Sequence, residues 1–169
     1  MKTALALVVL AVASIGSSGA EASGGLYLTT DYHATGDYNS AAIRLVGDQN
    51  VLFMEQDADS FGGTILLNVD ITGNLNGGPL GVTFSAPLML TSLIPGQLVQ
   101  TGHDNSITVT VAGSQNLLAA SQFGSGNVLT AAIIGHNNQA AVLQSGNGNT
   151  VTFSQNGNGN SLTVIQRSY

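Results

Sequence analysis

The motif G-x-x-N recurs with a strict 11-residue period through the C-terminal part of the chain, and this spacing constrains the fold more than any other feature. A fixed period is typical of architectures in which each repeat is one supersecondary unit stacked on the next. Two earlier copies begin at Gly36 and Gly47, in phase with the later ones. The six later copies begin at Gly102, Gly113, Gly124, Gly135, Gly146 and Gly157, and they carry Asn105, Asn116, Asn127, Asn138, Asn149 and Asn160.

Polar and apolar residues alternate after each of these asparagines. Between Asn149 and Gln155, apolar or amide side chains hold the even offsets, and Ser or Thr holds the odd ones. Period two predicts a half-buried β-strand. The residues that follow, such as 156–159, are glycine and asparagine, which accept the positive φ of a tight turn. Each unit is therefore predicted to be one strand followed by a sharp turn.

A longer period lies over the first, because alternate units differ at the sixth position after asparagine. One set carries Gln122, Gln144 and Gln166, and the other carries Val111, Ile133 and Gln155. This alternation predicts an all-β solenoid, or cross-β stack, with a 22-residue period and two strands in each rung. The predicted inward columns are Ile107–Leu129–Val151, Val109–Ala131–Phe153, Leu118–Ala140–Leu162 and Ala120–Val142–Val164.

The repeated Asn and Gln side chains are predicted to form structural amide ladders. Stacked about 4.8 Å apart, each amide can donate a hydrogen bond to its copy in the next rung. This satisfies a buried polar group that would otherwise cost about 1–3 kcal/mol. The ladder residues are predicted to be the six asparagines of the later repeats together with Gln122, Gln144, Gln155 and Gln166.

The composition excludes several classes of function. Charged residues are 7% of the chain, and its cations are Lys2, Arg44 and Arg167. So few cations cannot neutralise a phosphate backbone, so nucleic-acid binding is excluded. The chain has no cysteine, so it has no disulfide or thiolate metal site. No nucleophile motif or convergent cleft is apparent, so we expect no enzyme activity, catalytic residue or cofactor.

The acidic cluster Glu55, Asp57 and Asp59 offers oxygen ligands, but it lacks the spacing of a calcium loop. A solvated turn is the preferred interpretation, and calcium is the alternative. His33, His103 and His136 are scattered and lack the spacing of a helical metal site. No metal site is therefore predicted.

The N-terminus has the pattern of a secretory signal. A short apolar run follows Lys2, and Ala20–Ala22 has the A-x-A form of a cleavage site. The run is shorter than the roughly 20 residues that span a membrane. We expect residues 1–22 to be a cleaved signal peptide, and we predict no later membrane span.

The rest of the chain is predicted to have four parts. Residues 23–35 are a leader that is disordered or used in export, and residues 36–60 hold divergent repeats. Residues 61–101 are expected to be an irregular β insert, because all three prolines fall there and proline removes a ladder donor. Residues 102–169 form the regular solenoid. Whether 36–60 stacks on 102–169 is left open.

The pattern N-x5-Q-x-G-x2-N resembles the curlin repeat. It is present from Asn116 to Asn127, from Asn138 to Asn149 and from Asn149 to Asn160. The resemblance covers residues 102–169 and, less closely, 36–56; it does not cover 57–101. It implies a subunit that crosses the outer membrane of a Gram-negative bacterium and polymerises into extracellular amyloid fibres for adhesion and biofilm matrix. The implied partners are further copies, another curlin-type subunit and the outer-membrane secretion machinery.

We therefore expect a secreted fibre subunit at the cell surface, and the sequence leaves open whether it is a major subunit or a nucleator. The last repeat reaches Gln166 with no cap after it, which favours growth at the solenoid end. The alternative is a monomeric β-solenoid binding module of the adhesin or ice-binding type. Thr108, Thr130 and Thr152 would form its outward column, although neighbouring apolar residues interrupt a regular threonine array.

Overall fold

The computed structural model describes residues 8–14, 27–31, 39–58, 63–78, 81–86 and 88–169. Within these ranges the regular secondary structure is almost all β-strand. The strands are β1 Val8–Ser14, β2 Tyr27–Asp31, β3 Asn39–Val46, β4 Val51–Ala58, β5 Ile65–Thr72, β6 Gln97–His103, β7 Ser106–Ser114, β8 Leu117–Ser125, β9 Val128–His136, β10 Gln139–Asn147, β11 Thr150–Asn156 and β12 Ser161–Arg167. A short 3₁₀ helix covers Leu88–Thr91.

The strands form two parallel six-stranded sheets that face each other. The odd sheet has the order β1-β3-β5-β7-β9-β11, and the even sheet has the order β12-β10-β8-β6-β4-β2. One odd strand and the following even strand make a rung, and successive rungs stack. The chain is thus a β-solenoid, as the sequence predicted.

The register of the later rungs confirms the predicted 22-residue period. Ser106 of β7 pairs with Val128 of β9, and Val128 pairs with Thr150 of β11. The even sheet repeats this spacing, since Leu117 of β8 pairs with Gln139 of β10 and Gln139 pairs with Ser161. Equal residues therefore lie above one another, and a column is the set of residues that share one register position.

The core lies between the sheets and is built from the inward residues of both. All four predicted apolar columns are in register, including Ile107–Leu129–Val151 and Leu118–Ala140–Leu162. Ile107, Leu129 and Leu118 are fully buried. Each such aliphatic side chain contributes about 1.5–3 kcal/mol by leaving water. The inward residues of the alternating pattern thus form one continuous hydrophobic core.

Two strands from the middle of the chain belong to this solenoid. The irregular segment is therefore shorter than the predicted insert of residues 61–101. Strand β5, within residues 61–101, pairs with β3 on one side and β7 on the other. Strand β6 likewise pairs with β4 and β8. The early repeats therefore stack on the late ones through the rung that β5 and β6 form. The described residues between Gly78 and Gly96 leave the sheets, and we name the segment between these two glycines the outer loop.

The early motifs are in phase with the late ones because two steps between stacked strands are longer than the regular step. We call the additional residues of these two steps the extensions. The step from β3 to β5 places Asn39 beside Ile65, and the step from β5 to β7 places Leu66 beside Ser106. Both steps are longer than the regular one that joins Ser106 to Val128. The additional residues of the two steps together equal one regular rung. The stretch from Gly36 to Gly102 therefore spans two rungs and their extensions, rather than three rungs.

The outer loop packs on the outside of the even sheet. It begins beside Gly77, which bridges to Val51 and Leu117, and it rejoins the sheet where Gly96 donates to the Leu118 carbonyl at 2.7 Å. Its buried Phe84 and Leu88 cover a small apolar surface. That surface consists of Leu117, Ala119 and Ala141. The two alanines leave the room that a larger outward side chain would fill.

Strands β1 and β2 complete the N-terminal end. Strand β1 lies within the predicted signal peptide and pairs with β3, from Val8 opposite Ser40 to Ser14 opposite Val46. Strand β2 lies within the predicted leader and pairs with β4. The predicted cleavage site after Ala22, the first repeat glycine Gly36, Asp59 and His33 lie outside the described residues.

Candidate functional site: the amide ladders

The asparagine of each repeat lies at the corner where a turn enters a strand, with its side chain directed inward. Asn138 shows the arrangement. Its backbone N–H and Nδ2 donate to Oδ1 of Asn116, at 3.1 and 3.0 Å. Nδ2 also donates to the carbonyl of Gly157 at 2.8 Å. The corner amide therefore ties its own rung to both neighbouring rungs.

Two asparagine columns run along the solenoid in this way. Bonds of the same kind connect Asn127 to Asn105 and Asn149 to Asn127, at 2.9 to 3.1 Å. Asn105, Asn116, Asn127 and Asn138 are fully buried. A carboxylate could not replace these amides, since it has no N–H to donate. The first column holds Asn50, Asn76, Asn116, Asn138 and Asn160, and the second holds Asn105, Asn127 and Asn149.

A glutamine ladder runs in the even sheet with the opposite polarity. Nε2 of Gln122 donates to Oε1 of Gln144 at 2.8 Å, and Gln144 donates to Gln166 at 3.2 Å. The remaining N–H of Gln122 donates across the core to the Ser106 carbonyl at 3.0 Å. Between ladder side chains, asparagine amides thus donate to the asparagine of the preceding rung, and glutamine amides donate to the glutamine of the following rung. The repeating bonds give the stack a direction.

Comparison with known proteins gives one family. The family model described as the curlin associated repeat matches residues 135–167. The segment 135–167 is therefore similar to the curlin repeat. No curated protein and no solved structure matches the chain. The matched range covers β10 to β12, where the curlin repeat is most regular.

Gln155 differs from the other glutamines, which corrects its predicted place in a ladder. Its column contains Ile133 and Val111, because it belongs to the odd sheet. Nε2 of Gln155 donates to the carbonyl of Gln139 at 3.1 Å, but its Oε1 is buried without a hydrogen-bond partner. Gln155 forms no glutamine ladder, because its stacked neighbour in the described residues is the aliphatic Ile133.

Four ladder residues were not predicted from the sequence, namely Asn50, Asn76, Gln56 and Gln100. Gln56 donates to Gln100 at 3.1 Å, and Gln100 donates to Gln122 at 2.9 Å. Asn76 accepts from Asn116 and donates to Asn50. The signals were present, since Gly73 to Asn76 is a G-x-x-N motif and Gln100 precedes Gly102 as in later repeats. The motif at Gly73 and the glutamine at position 100 both lie near the extensions, where the regular spacing of the repeats is lost.

One asparagine lacks the partners that the others have. Asn39 is buried, and neither its Nδ2 nor its Oδ1 has a hydrogen-bond partner. Its register neighbour in β5 is Ile65, which holds the place that asparagine holds in the later rungs. The second asparagine column is therefore interrupted at this position. An unpaired buried amide costs about 1–3 kcal/mol.

The repeat glycines form columns of their own at the turns. All six predicted turn glycines have φ between 101° and 129°. At Gly113, a Cβ would lie against the carbonyl oxygen of Gly135, well inside contact distance. Glycine is thus required by both the backbone angle and the close approach of the next rung. Gly102, Gly124, Gly135 and Gly146 have the same kind of neighbour.

Other chemistry is sparse in the part of the chain that the structure describes. There, no group of three or more His, Asp or Glu could hold a metal ion. Glu55 and Asp57 are exposed on the outer face of β4. In the same ranges, no helix has the length and apolar character needed to cross a membrane.

Proposed function

We propose that this protein is a secreted structural subunit of an extracellular, curli-like amyloid fibre that serves adhesion and biofilm matrix. The observation that carries the proposal is the stack of parallel rungs with directional amide ladders. A parallel edge strand has unpaired N–H and C=O groups that can template another strand. In the described residues, β11 and β12 are paired on one side only.

The curlin repeat supports a structural role in place of catalysis. The apolar N-terminal run supports export, and the outer-membrane secretion machinery and a second curlin-type subunit are the proposed partners. The low charge of the repeats also favours assembly, because like charges stacked at strand spacing would repel. Location at the cell surface follows from this proposal.

The test uses the processed chain, recovered from the periplasm of a Gram-negative host in denaturant and then diluted. We expect fibres that bind thioflavin and give a meridional X-ray reflection near about 4.8 Å. A chain that stays monomeric at micromolar concentration for days would contradict the proposal. That result would instead favour the monomeric binding module.

A further inference from the structure

The rung of β3 and β4 and the last described rung, β11 and β12, carry the same ladder residues. In the even sheet, the glutamine ladder begins at Gln56 in β4 and reaches Gln166 in β12. The first asparagine column begins at Asn50 and reaches Asn160. If a second copy is placed in register against β11 and β12, its Asn50 lies next to Asn160 of the first copy and its Gln56 lies next to Gln166. Each ladder could continue from one copy to the next.

We propose that the rung of β3 and β4 docks on the rung of β11 and β12 of a second copy, with Arg167 of one copy beside Asp57 of the next. The inference rests on the proposed fibre function and names the junction between subunits. Strands β1 and β2 cover this docking rung and must leave it. The partner is thus a further copy of this chain.

The charges at the two ends are complementary in this register. Asp57, Thr101, Phe123, Ser145 and Arg167 form one outward column of the even sheet. Its two ends are an exposed acid and an exposed base. Stacking of copies brings these ends onto neighbouring strands.

The chain already contains an ion pair of this geometry. Arg44 in β3 and Asp70 in β5 are register partners on neighbouring strands. Arg44 Nη1 lies 2.7 Å from Asp70 Oδ1, and both side chains are about half exposed, at 53% and 45%. An outward arginine and aspartate in adjacent parallel strands can therefore meet. The junction would repeat this contact between two copies.

Within the chain, β2 occupies this edge of β4. Docked in register, β12 of a second copy would place Ile165 opposite Glu55 and Arg167 opposite Asp57. The exposed acid Asp57 would then have a base on the neighbouring strand.

The unpaired amide of Asn39 points to the same junction. Ile65 fills the position on the C-terminal side of Asn39, so its ladder partner can only come from the other side. In the present structure β1 pairs along β3 there. Removal of residues 1–22 as a signal peptide would take β1 away. Oδ1 of Asn149 in a second copy could then accept from Asn39, as Asn127 Oδ1 accepts from Asn149 at 2.9 Å.

The first test reverses the charges in the processed full chain. We expect Arg167→Asp and Asp57→Arg each to raise the monomer concentration left in equilibrium with fibres about fivefold at low salt. The double variant should return to within about twofold of the parent, because the pair is restored. The matched control is the double swap Arg44→Asp with Asp70→Arg, which exchanges a pair inside one copy and should also stay within about twofold.

The second test uses the absence of cysteine from the chain. Fibres grown from a mixture of Arg167→Cys and Asp57→Cys chains should form disulfide-linked dimers on mild oxidation, since neighbouring strands are close enough for the bond. A mixture of Arg167→Cys and Thr101→Cys chains is the control, because Thr101 lies within the stack and should give few dimers.

The outcomes separate the junction from the fibre function. If the parent forms no fibres, both proposals fail. If the parent forms fibres but the single charge variants match it, or the double variant remains as poor as they are, the junction is overturned while the fibre function stands. Equal cross-linking at positions 57 and 101 would overturn it as well.

Discussion

The regular rungs of β7 to β12 and the divergent rungs of β3 to β6 build the same two sheets with different amounts of chain. The later ladders repeat one constant step, from Gln122 to Gln144 and on to Gln166, whereas the step from Gln56 to Gln100 is twice as long. Even so, the glutamine ladder passes without a gap from Gln56 through Gln100 to Gln122. The stack therefore depends on the residues at the strand ends, and the length of chain between strands can vary.

The difference shows what each part of the repeat contributes. The extra residues between β5 and β7 form the outer loop, which leaves the even sheet near Gly78 and returns at Gly96. The two loop ends lie close together, since a Cβ at Gly78 would meet the carbonyl of Pro95. Such a loop adds length without moving the strands on either side. The repeated contacts between rungs can thus be tested one at a time.

The largest expected effect comes from a turn glycine of the regular part. We expect Gly113→Ala to destabilise the chain by about 4 kcal/mol or more, because the new Cβ would overlap the Gly135 carbonyl at φ +129°. Gly148→Ala is the control, since Gly148 has φ +67° and no neighbouring atom within 4 Å. It should cost about 1–2 kcal/mol. Urea unfolding below the assembly concentration measures both, and equal losses would contradict the close-approach argument.

The second expected effect is a charge placed within an asparagine ladder. In Asn138→Asp, the oxygen that replaces Nδ2 would face the Asn116 and Gly157 oxygens, with no proton to donate. We expect a loss of about 3 kcal/mol or more at neutral pH and strongly delayed fibre growth. Asn137→Asp is the control, because Asn137 is an exposed turn residue with φ 57°.

The pH dependence gives this second prediction its sign. Burial raises the pKa of the introduced carboxyl, and the protonated acid can donate as the amide does. Stability and fibre growth should therefore recover as the pH falls through that raised pKa. Growth of the Asn138→Asp chain at parental rate at pH 7 would show that position 138 does not carry a ladder.

The regular part was predictable because its spacing is strict. The columns through Ile107 and Leu118 follow from alternation and the 22-residue period, and the structure confirms them. The rung of β5 was not predicted, although the stretch from Gly62 to Gly73 has the length of one repeat unit, with Ile65 at the asparagine position. The early motifs remain in phase with the late ones only because the two extensions together have the length of one regular rung. This coincidence hid the longer steps on either side of β5.

The outer loop could not be predicted for a different physical reason. Its packing depends on Phe84 and Leu88 meeting Ala119 and Ala141, which lie in two later strands. In the sequence, nothing distinguishes those alanines from other small residues on an outward face. Contacts between distant parts of a chain produce no periodic pattern in the sequence, and only the folded structure shows them.

The smallest expected effect repairs the divergent region. We expect Ile65→Asn to change stability by only about 1 kcal/mol, because the lost aliphatic burial is offset by a partner for the unpaired Asn39 amide. Ile71→Asn is the matched control, because Ile71 lies in the same strand, is equally buried and stacks between Leu45 and Val111. There the new amide has no ladder to join, and the loss should be about 4 kcal/mol. Urea unfolding of both variants below the assembly concentration measures the difference. Equal losses would mean that the residues around position 65 cannot hold an asparagine ladder, and that the divergent rung differs from the regular ones in more than the identity of one side chain.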